Sequence, residues 1–165
     1  DKTIDQINIY GEKINTFSIQ HQVIYSTAMK IFKDNYIFGI GPKNFRIICK
    51  EEKYKTFSDL DQSIDGCQTH PHNTYIQLLT ETGIIGFMFL FSFFLYITFM
   101  FIKHIFGKYF YNTYLLKDHN ICFFVAIYIN FWPFVPTGSF FNNWLSIIYF
   151  LPIGLILTQF SNKKD

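Results

Sequence analysis

Residues 83–102, GIIGFMFLFSFFLYITFMFI, run for twenty positions without a charge. At 1.5 Å of rise per residue such a run covers roughly 30 Å as a helix, the thickness of a bilayer core, and it predicts a transmembrane helix. Two further apolar runs, 121–136 and 144–160, are shorter. The first contains Asn130 and Pro133; the second contains Pro152 and Gly154, which a membrane bundle tolerates when neighbouring helices satisfy the freed backbone. Asn130 predicts an interhelical hydrogen bond, and Trp144 stands at one edge of its span as an interfacial anchor.

Residues 1–82 alternate differently. They hold nine Lys or Arg against ten Asp or Glu and no long apolar run, which predicts an extramembrane segment of short helices. Within 21–32, Ile24, Tyr25, Ala28, Ile31 and Phe32 recur at helical spacing and form one apolar stripe. That helix is expected to stop near Asn35, before Phe38-Gly39-Ile40-Gly41. Pro42 suits the first position of a second helix running through Phe45 and Arg46. Residues 50–69 read as a polar loop. Asn73 or Thr74 can cap a third helix, Thr74 with Gln77 matching a capping box; this helix runs to Thr82 and is expected to pass at Gly83 straight into the first span.

Composition sharpens this picture. Half of the 165 residues are hydrophobic, 22 of them Phe, and only 16% are charged, against about a quarter in soluble domains. The expected fold is therefore mainly α: a polytopic membrane helical protein, here a C-terminal portion with a helical loop of residues 1–82 and three transmembrane helices at 83–102, 121–136 and 144–160. The net charge of +2 comes without a basic tract, so nucleic acid is not an expected partner. Lysine sets the orientation. Lys103, Lys108 and Lys117 lie in the 103–120 connector and Lys163 and Lys164 in the 161–165 tail, whereas the 137–143 connector, TGSFFNN, has no charge. The lysine-bearing connector and tail are expected in the cytoplasm, with 1–82 and 137–143 on the opposite face.

The densest polar cluster is Thr69-His70-Pro71-His72-Asn73. A helix N-terminus disfavours imidazolium, which would keep His72 neutral as a general base, and its free N–H groups attract anions. The plainer reading is a capping loop whose histidines only hydrogen-bond. Arg46 is the single arginine among fourteen basic side chains; its planar fork grips phosphate bidentately where ammonium cannot. With Lys43 and the nearby glycines it forms a weak phosphate-cradle candidate, although such glycines more often make a tight turn. His21 and His70 are candidate supporting residues. So is Glu81, for which an exposed helix charge is favoured over the lining of a polar cavity. Cys67, His70 and His72 have metal-ligand types, but no clear fourth ligand lies nearby and no metal or other cofactor is expected. Cys49 and Cys67 can bridge in an oxidising compartment, and Cys122 is expected to be a packing residue.

The stretch HNTYIQLLTETGIIG, residues 72–86, resembles the hallmark of the O-antigen ligase family: His-Asn, nine residues, then Gly-x-x-Gly at Gly83 and Gly86. Residues 28–46, AMKIFKDNYIFGIGPKNFR, resemble the segment that precedes it. The resemblance implies a multi-pass enzyme of the bacterial inner membrane, similar in architecture to metal-independent GT-C transferases, with its active-site loop in the periplasm. It further implies an inverting glycosyltransferase of lipopolysaccharide biosynthesis that takes a glycan from undecaprenyl diphosphate to lipid A–core, next to membrane lipid. The family's catalytic histidine falls on His72 with Asn73 beside it, and its diphosphate-holding arginines on Arg46. Where a family arginine commonly heads the first helix, this chain has His21.

The same chemistry would serve an O-antigen polymerase or a protein O-oligosaccharyltransferase. A transporter component gating protons predicts ionisable residues inside the spans; none lies in 83–102, 121–136 or 144–160. A non-catalytic scaffold predicts transfer that survives loss of His72.

Overall fold

The computed structural model describes residues 7–9, 12–14, 18–58, 63–111 and 118–161. A short antiparallel hairpin, β1 (Ile7–Ile9) with β2 (Glu12–Ile14), pairs Asn8 with Lys13; the sequence pattern does not predict it. The remainder is helical: α1 (Ile19–Asp34), α2 (Phe45–Ile48), a 3₁₀ turn at Glu52–Tyr54, α3 (Thr74–Tyr111), α4 (Asp118–Asn130) and α5 (Asn143–Ser161). Lys117, Lys163 and Lys164, which carry part of the orientation argument, lie outside the described residues.

Helix α1 buries Ile24, Tyr25, Ala28 and Ile31 on the stripe expected for it. Ser18 caps its start by accepting the His21 N–H, and Asn35 closes it, its amide reaching back to the Ile31 carbonyl at 3.1 Å. The buried face packs with Phe45, Cys49 and Tyr54 into one small core. Cys49 and Cys67 are joined by a disulfide with Cα atoms 5.2 Å apart, so the 50–66 segment is closed onto this core as a covalent loop. The second helix begins later than Pro42 suggests. Gly41 at φ 90° and Lys43 at φ 63° are left-handed, and helix cannot form until the chain leaves that region.

The break at Gly83 is sharper than the sequence suggests. The chain does not run on into the span; it doubles back. Gly83 has φ 68° and ψ −166°. On either side of it, Tyr75 meets the rings of Phe87, Phe91 and Phe94 at centroid distances of 6.0, 6.3 and 6.4 Å. In one straight helix Tyr75 and Phe94 would stand roughly 28 Å apart, so the limb 74–82 folds alongside the limb 84–111. The loop after α1 plugs the apex. Ile40 and Gly41 donate to the Thr80 and Glu81 carbonyls at 3.1 and 2.8 Å, and Ile84 donates to the Tyr36 carbonyl at 2.8 Å. These bonds satisfy groups that a helix end leaves open. A Cβ on Gly83 would lie 2.2 Å from the Ile37 oxygen, and one on Gly39 2.5 Å from the Glu81 carbonyl carbon. Only glycine permits backbones this close.

The limb 84–111 extends nine residues past the expected end of the first span, into the expected 103–120 connector. Its outward face shows Leu95, Tyr96, Phe99, Ile102 and Phe106, and α3 is long and apolar enough to cross a membrane. The apolar stretches of α4 and α5, Asn120–Asn130 and Asn143–Thr158, are shorter. Helix α4 ends six residues before the predicted 136, because Pro133 disfavours helical geometry in the residue before it. Asn130 bonds the Ala126 carbonyl of its own helix at 2.8 Å rather than a neighbour. Cys122 is exposed instead of packed. A second core of Phe94, Ile97, Phe124, Ile127, Phe131 and Tyr149 joins α3, α4 and α5.

Candidate active site

The site is assembled where the limb 74–82 meets two loops. Asn73 caps this limb, its Oδ1 accepting from the Tyr75 and Ile76 N–H groups at 3.0 and 3.1 Å. Its amide nitrogen donates to the Pro133 carbonyl at 2.7 Å. Asn73, also a candidate contact for the donor diphosphate, thus uses its Oδ1 and one of its two amide hydrogens to fix the turn. Thr74 does not form the expected capping box; its hydroxyl meets that of Thr137 at 2.8 Å.

His72, just before the cap, has φ 56°. A left-handed non-glycine backbone costs on the order of 1–3 kcal/mol and persists where its surroundings over-determine it. The surroundings here are the Asn73 cap and the Thr137 N–H, which donates to the His72 carbonyl at 2.9 Å. The turn gathers three imidazoles: His72 lies 4.2 Å from the tilted ring of His70 and 6.0 Å, edge to face, from that of His21 between ring centroids. His21 is itself fixed at the head of α1, its Nδ1 2.6 Å from the Ser18 hydroxyl. Burial lowers the His72 pKa below the usual imidazole value, and the neighbouring His70 and His21 lower it further. Burial also lowers that of His70, opposed by a hydrogen bond to the Thr137 backbone. Around neutral pH His72 is accordingly a neutral imidazole able to accept a proton.

Beside His70 opens a cleft of about 400 Å³ lined by Lys43, Arg46, Thr69, Ser139, Asn142 and Leu145, among others. Lys43 and Arg46 are exposed, and among the described residues neither is in an ion pair. His72 does not line the cleft itself; His70 stands between. The opposite wall comes from 138–145, which the sequence reading did not assign to the site. The signal was available: TGSFFNN is a polar, uncharged run between two apolar ones.

Glu81 is the main correction. It is 1% exposed, not a surface charge. Its Oε1 accepts the Phe45 N–H at 3.1 Å and its Oε2 the Gln77 amide at 2.9 Å. The Gly39-Ile40-Gly41 segment is occupied with the apex of α3, so it makes the tight turn rather than a phosphate cradle. Gly86 sits one turn into the second limb, where a Cβ would meet the Thr82 side chain. The Cys67 sulfur is bonded to Cys49, which removes the thiolate from the Cys67, His70 and His72 ligand set.

Residues 13–91 match the sequence model of the O-antigen ligase family. This stretch carries α1, the disulfide loop, all three histidines and the reversal at Gly83. No curated protein and no solved structure matches the chain. The O-antigen ligase family is membrane-embedded, and its members are glycosyltransferase-like ligases of lipopolysaccharide biosynthesis within a ligase and polymerase superfamily. Their substrates are, in general, a lipid-linked glycan and lipid A–core. The connector wall of the cleft, residues 138–145, lies beyond the ligase-family match.

Proposed function

We propose that the protein is an O-antigen ligase-like glycosyltransferase, multi-pass in the bacterial inner membrane, with its site at the periplasmic face. The donor is a glycan on undecaprenyl diphosphate and the acceptor a hydroxyl of lipid A–core. The observation that carries this reading is a histidine of lowered pKa, held in a left-handed turn against a second histidine ring, next to a cleft bearing two exposed cations.

In this reading His72 takes the proton of the acceptor hydroxyl while its oxygen bonds to the anomeric carbon. The bond from that carbon to the diphosphate oxygen breaks, and the leaving diphosphate carries away the electron pair. Lys43 and Arg46 stabilise the charge that grows on it, most effectively where water is excluded. Attack from the face opposite the leaving group inverts the anomeric configuration. Burial, and after it the neighbouring His70 and His21, keep His72 neutral. The 84–111 limb and the apolar stretches of α4 and α5 hold the site against the membrane, with 1–82 and 137–143 on its outer side.

The test uses the complete gene in cells that lack their own ligase, with lipopolysaccharide resolved on a gel. Wild type restores long-chain lipopolysaccharide; His72→Ala, at equal protein level, does not. Arg46→Lys restores little, because ammonium loses the bidentate grip. Failure of wild type to restore the chains, with carrier-linked polymer accumulating, would favour a polymerase or another acceptor.

A further inference from the structure

The two walls of the cleft come from segments far apart in the chain. The cationic wall is Lys43 and Arg46, around the start of α2; the polar wall is Gly138, Ser139 and Asn142 in the connector before α5. Between them runs a buried polar rod on the limb 74–82. Glu81 Oε1 accepts the Phe45 N–H, and Glu81 Oε2 accepts from Gln77 Nε2. The same Gln77 nitrogen donates to the Ser139 hydroxyl at 3.0 Å, while Gln77 Oε1 accepts the Phe140 N–H at 2.8 Å. Phe45 is the residue before Arg46, and Ser139 itself lines the cleft. Gln77 and Glu81 are each 1% exposed, so water does not replace any bond that is lost.

We propose that Glu81 and Gln77 are positioning residues that set the spacing between the cationic and polar walls, and through it the fit of the cleft to a lipid-linked diphosphate. This rests on the donor site proposed above. One turn apart on a helix, i and i+4 side chains face the same way, so the pair can reach both walls without backbone distortion. The polarity of the rod is also determined. Both outer partners that approach from the backbone, Phe45 and Phe140, are donors, so each end of the rod has to present an acceptor. Only an acid paired with an amide does this while bonding each other. Two amides put donor against donor at some point, and two acids put charge against charge. An acid at 77 with an amide at 81 satisfies every partner again, since the Ser139 hydroxyl can turn to donate.

That symmetry supplies the test. Binding of undecaprenyl diphosphate to the purified, complete enzyme is measured for wild type, Glu81→Gln, Gln77→Glu, the double exchange and Arg46→Ala, with the thermal midpoint recorded for each. Arg46→Ala weakens binding if the cleft is the donor site. Each single exchange weakens it several-fold, and the double exchange returns it close to wild type. Ser139→Ala, which removes one hydroxyl from a half-buried position, weakens binding without lowering the midpoint appreciably. Single exchanges that bind as wild type while Arg46→Ala does not would overturn the positioning role. So would a folded double exchange no tighter than the singles. Unchanged binding in Arg46→Ala would instead remove the donor site, and the inference with it.

Discussion

The two halves of this protein are held together by different means. The 84–111 limb with α4 and α5 coheres through aromatic and aliphatic packing: Phe94 stacks on Tyr128 at 5.2 Å, and Phe131 meets Tyr149 at 5.3 Å. The site-bearing half coheres through directional contacts: a disulfide, backbone bonds at the apex of α3, a buried carboxylate and two glycines pressed against backbone. Packing of apolar rings tolerates rearrangement, because dispersion has no preferred direction. Hydrogen bonds buried from water tolerate little, since an unmet donor or acceptor costs about 1–3 kcal/mol. The proposed chemistry lies on the half whose geometry is specified most tightly.

The contrast is broken most severely at the apex. Gly83→Ala places a methyl group 2.2 Å from the Ile37 oxygen in a left-handed backbone, and the reversal of α3 cannot absorb it. The expected loss is about 3 kcal/mol or more, seen as a collapse of the thermal midpoint and of membrane-inserted yield. Gly154→Ala in α5, with nothing within 4 Å of its Cβ, is expected to change the midpoint little. Equal effects of the two would erase the distinction between the halves.

Next in size is the disulfide. Its cysteines are 18 residues apart, and losing a loop of that length costs about 3 kcal/mol in the chain-entropy model. Cys67→Ser should lower the midpoint and make it insensitive to reductant, whereas wild type should fall toward the mutant when reduced. A wild-type midpoint indifferent to reductant would contradict this.

The smallest effect concerns pH. The His72 pKa is lowered by burial and by the adjacent His70 and His21, so its neutral form persists to lower pH than an ordinary imidazole, near 6.5. Transfer should hold through neutrality and fall only on the acid side. His21→Gln removes one of the lowering influences, so the His72 pKa rises and the acid limb of the rate moves to higher pH. The same shift governs stability. The unfolded chain binds the proton first, so stability is lost as pH falls from about 6.5 through the folded value. An acid limb that stays in place would separate His21 from the histidine cluster.

Much of this was legible in the sequence where the signal is local. The α1 stripe, the His-Asn turn before a helix, and the candidates Lys43 and Arg46 follow from spacing and residue type alone, and the structure brings those two cations together beside His70. What was not legible depends on distant partners. Glu81 reads as a surface charge on its own helix because its burial comes from the 36–45 loop, 36 residues upstream. The reversal at Gly83 is hidden because apolar and helix-forming residues continue on both sides, and it is the positive φ and the approach of Ile37, both set by the fold, that demand glycine there. Pro133 and Thr137, just before the connector wall of the cleft, bond Asn73 and Thr74 from 60 and 63 residues away. The early end of α4 had a local cause in Pro133, which length alone outweighed in reading 121–136 as a span.

The account turns on whether His72 is the proton acceptor or merely a strained corner. His72→Gly separates the two, because glycine adopts φ 56° at no steric cost. Glycan transfer to lipid A–core and the thermal midpoint are measured together on this variant. A midpoint at or near the wild-type value with transfer lost is the predicted result. Transfer retained near the wild-type rate by the folded glycine variant would contradict the assignment of His72 as the base.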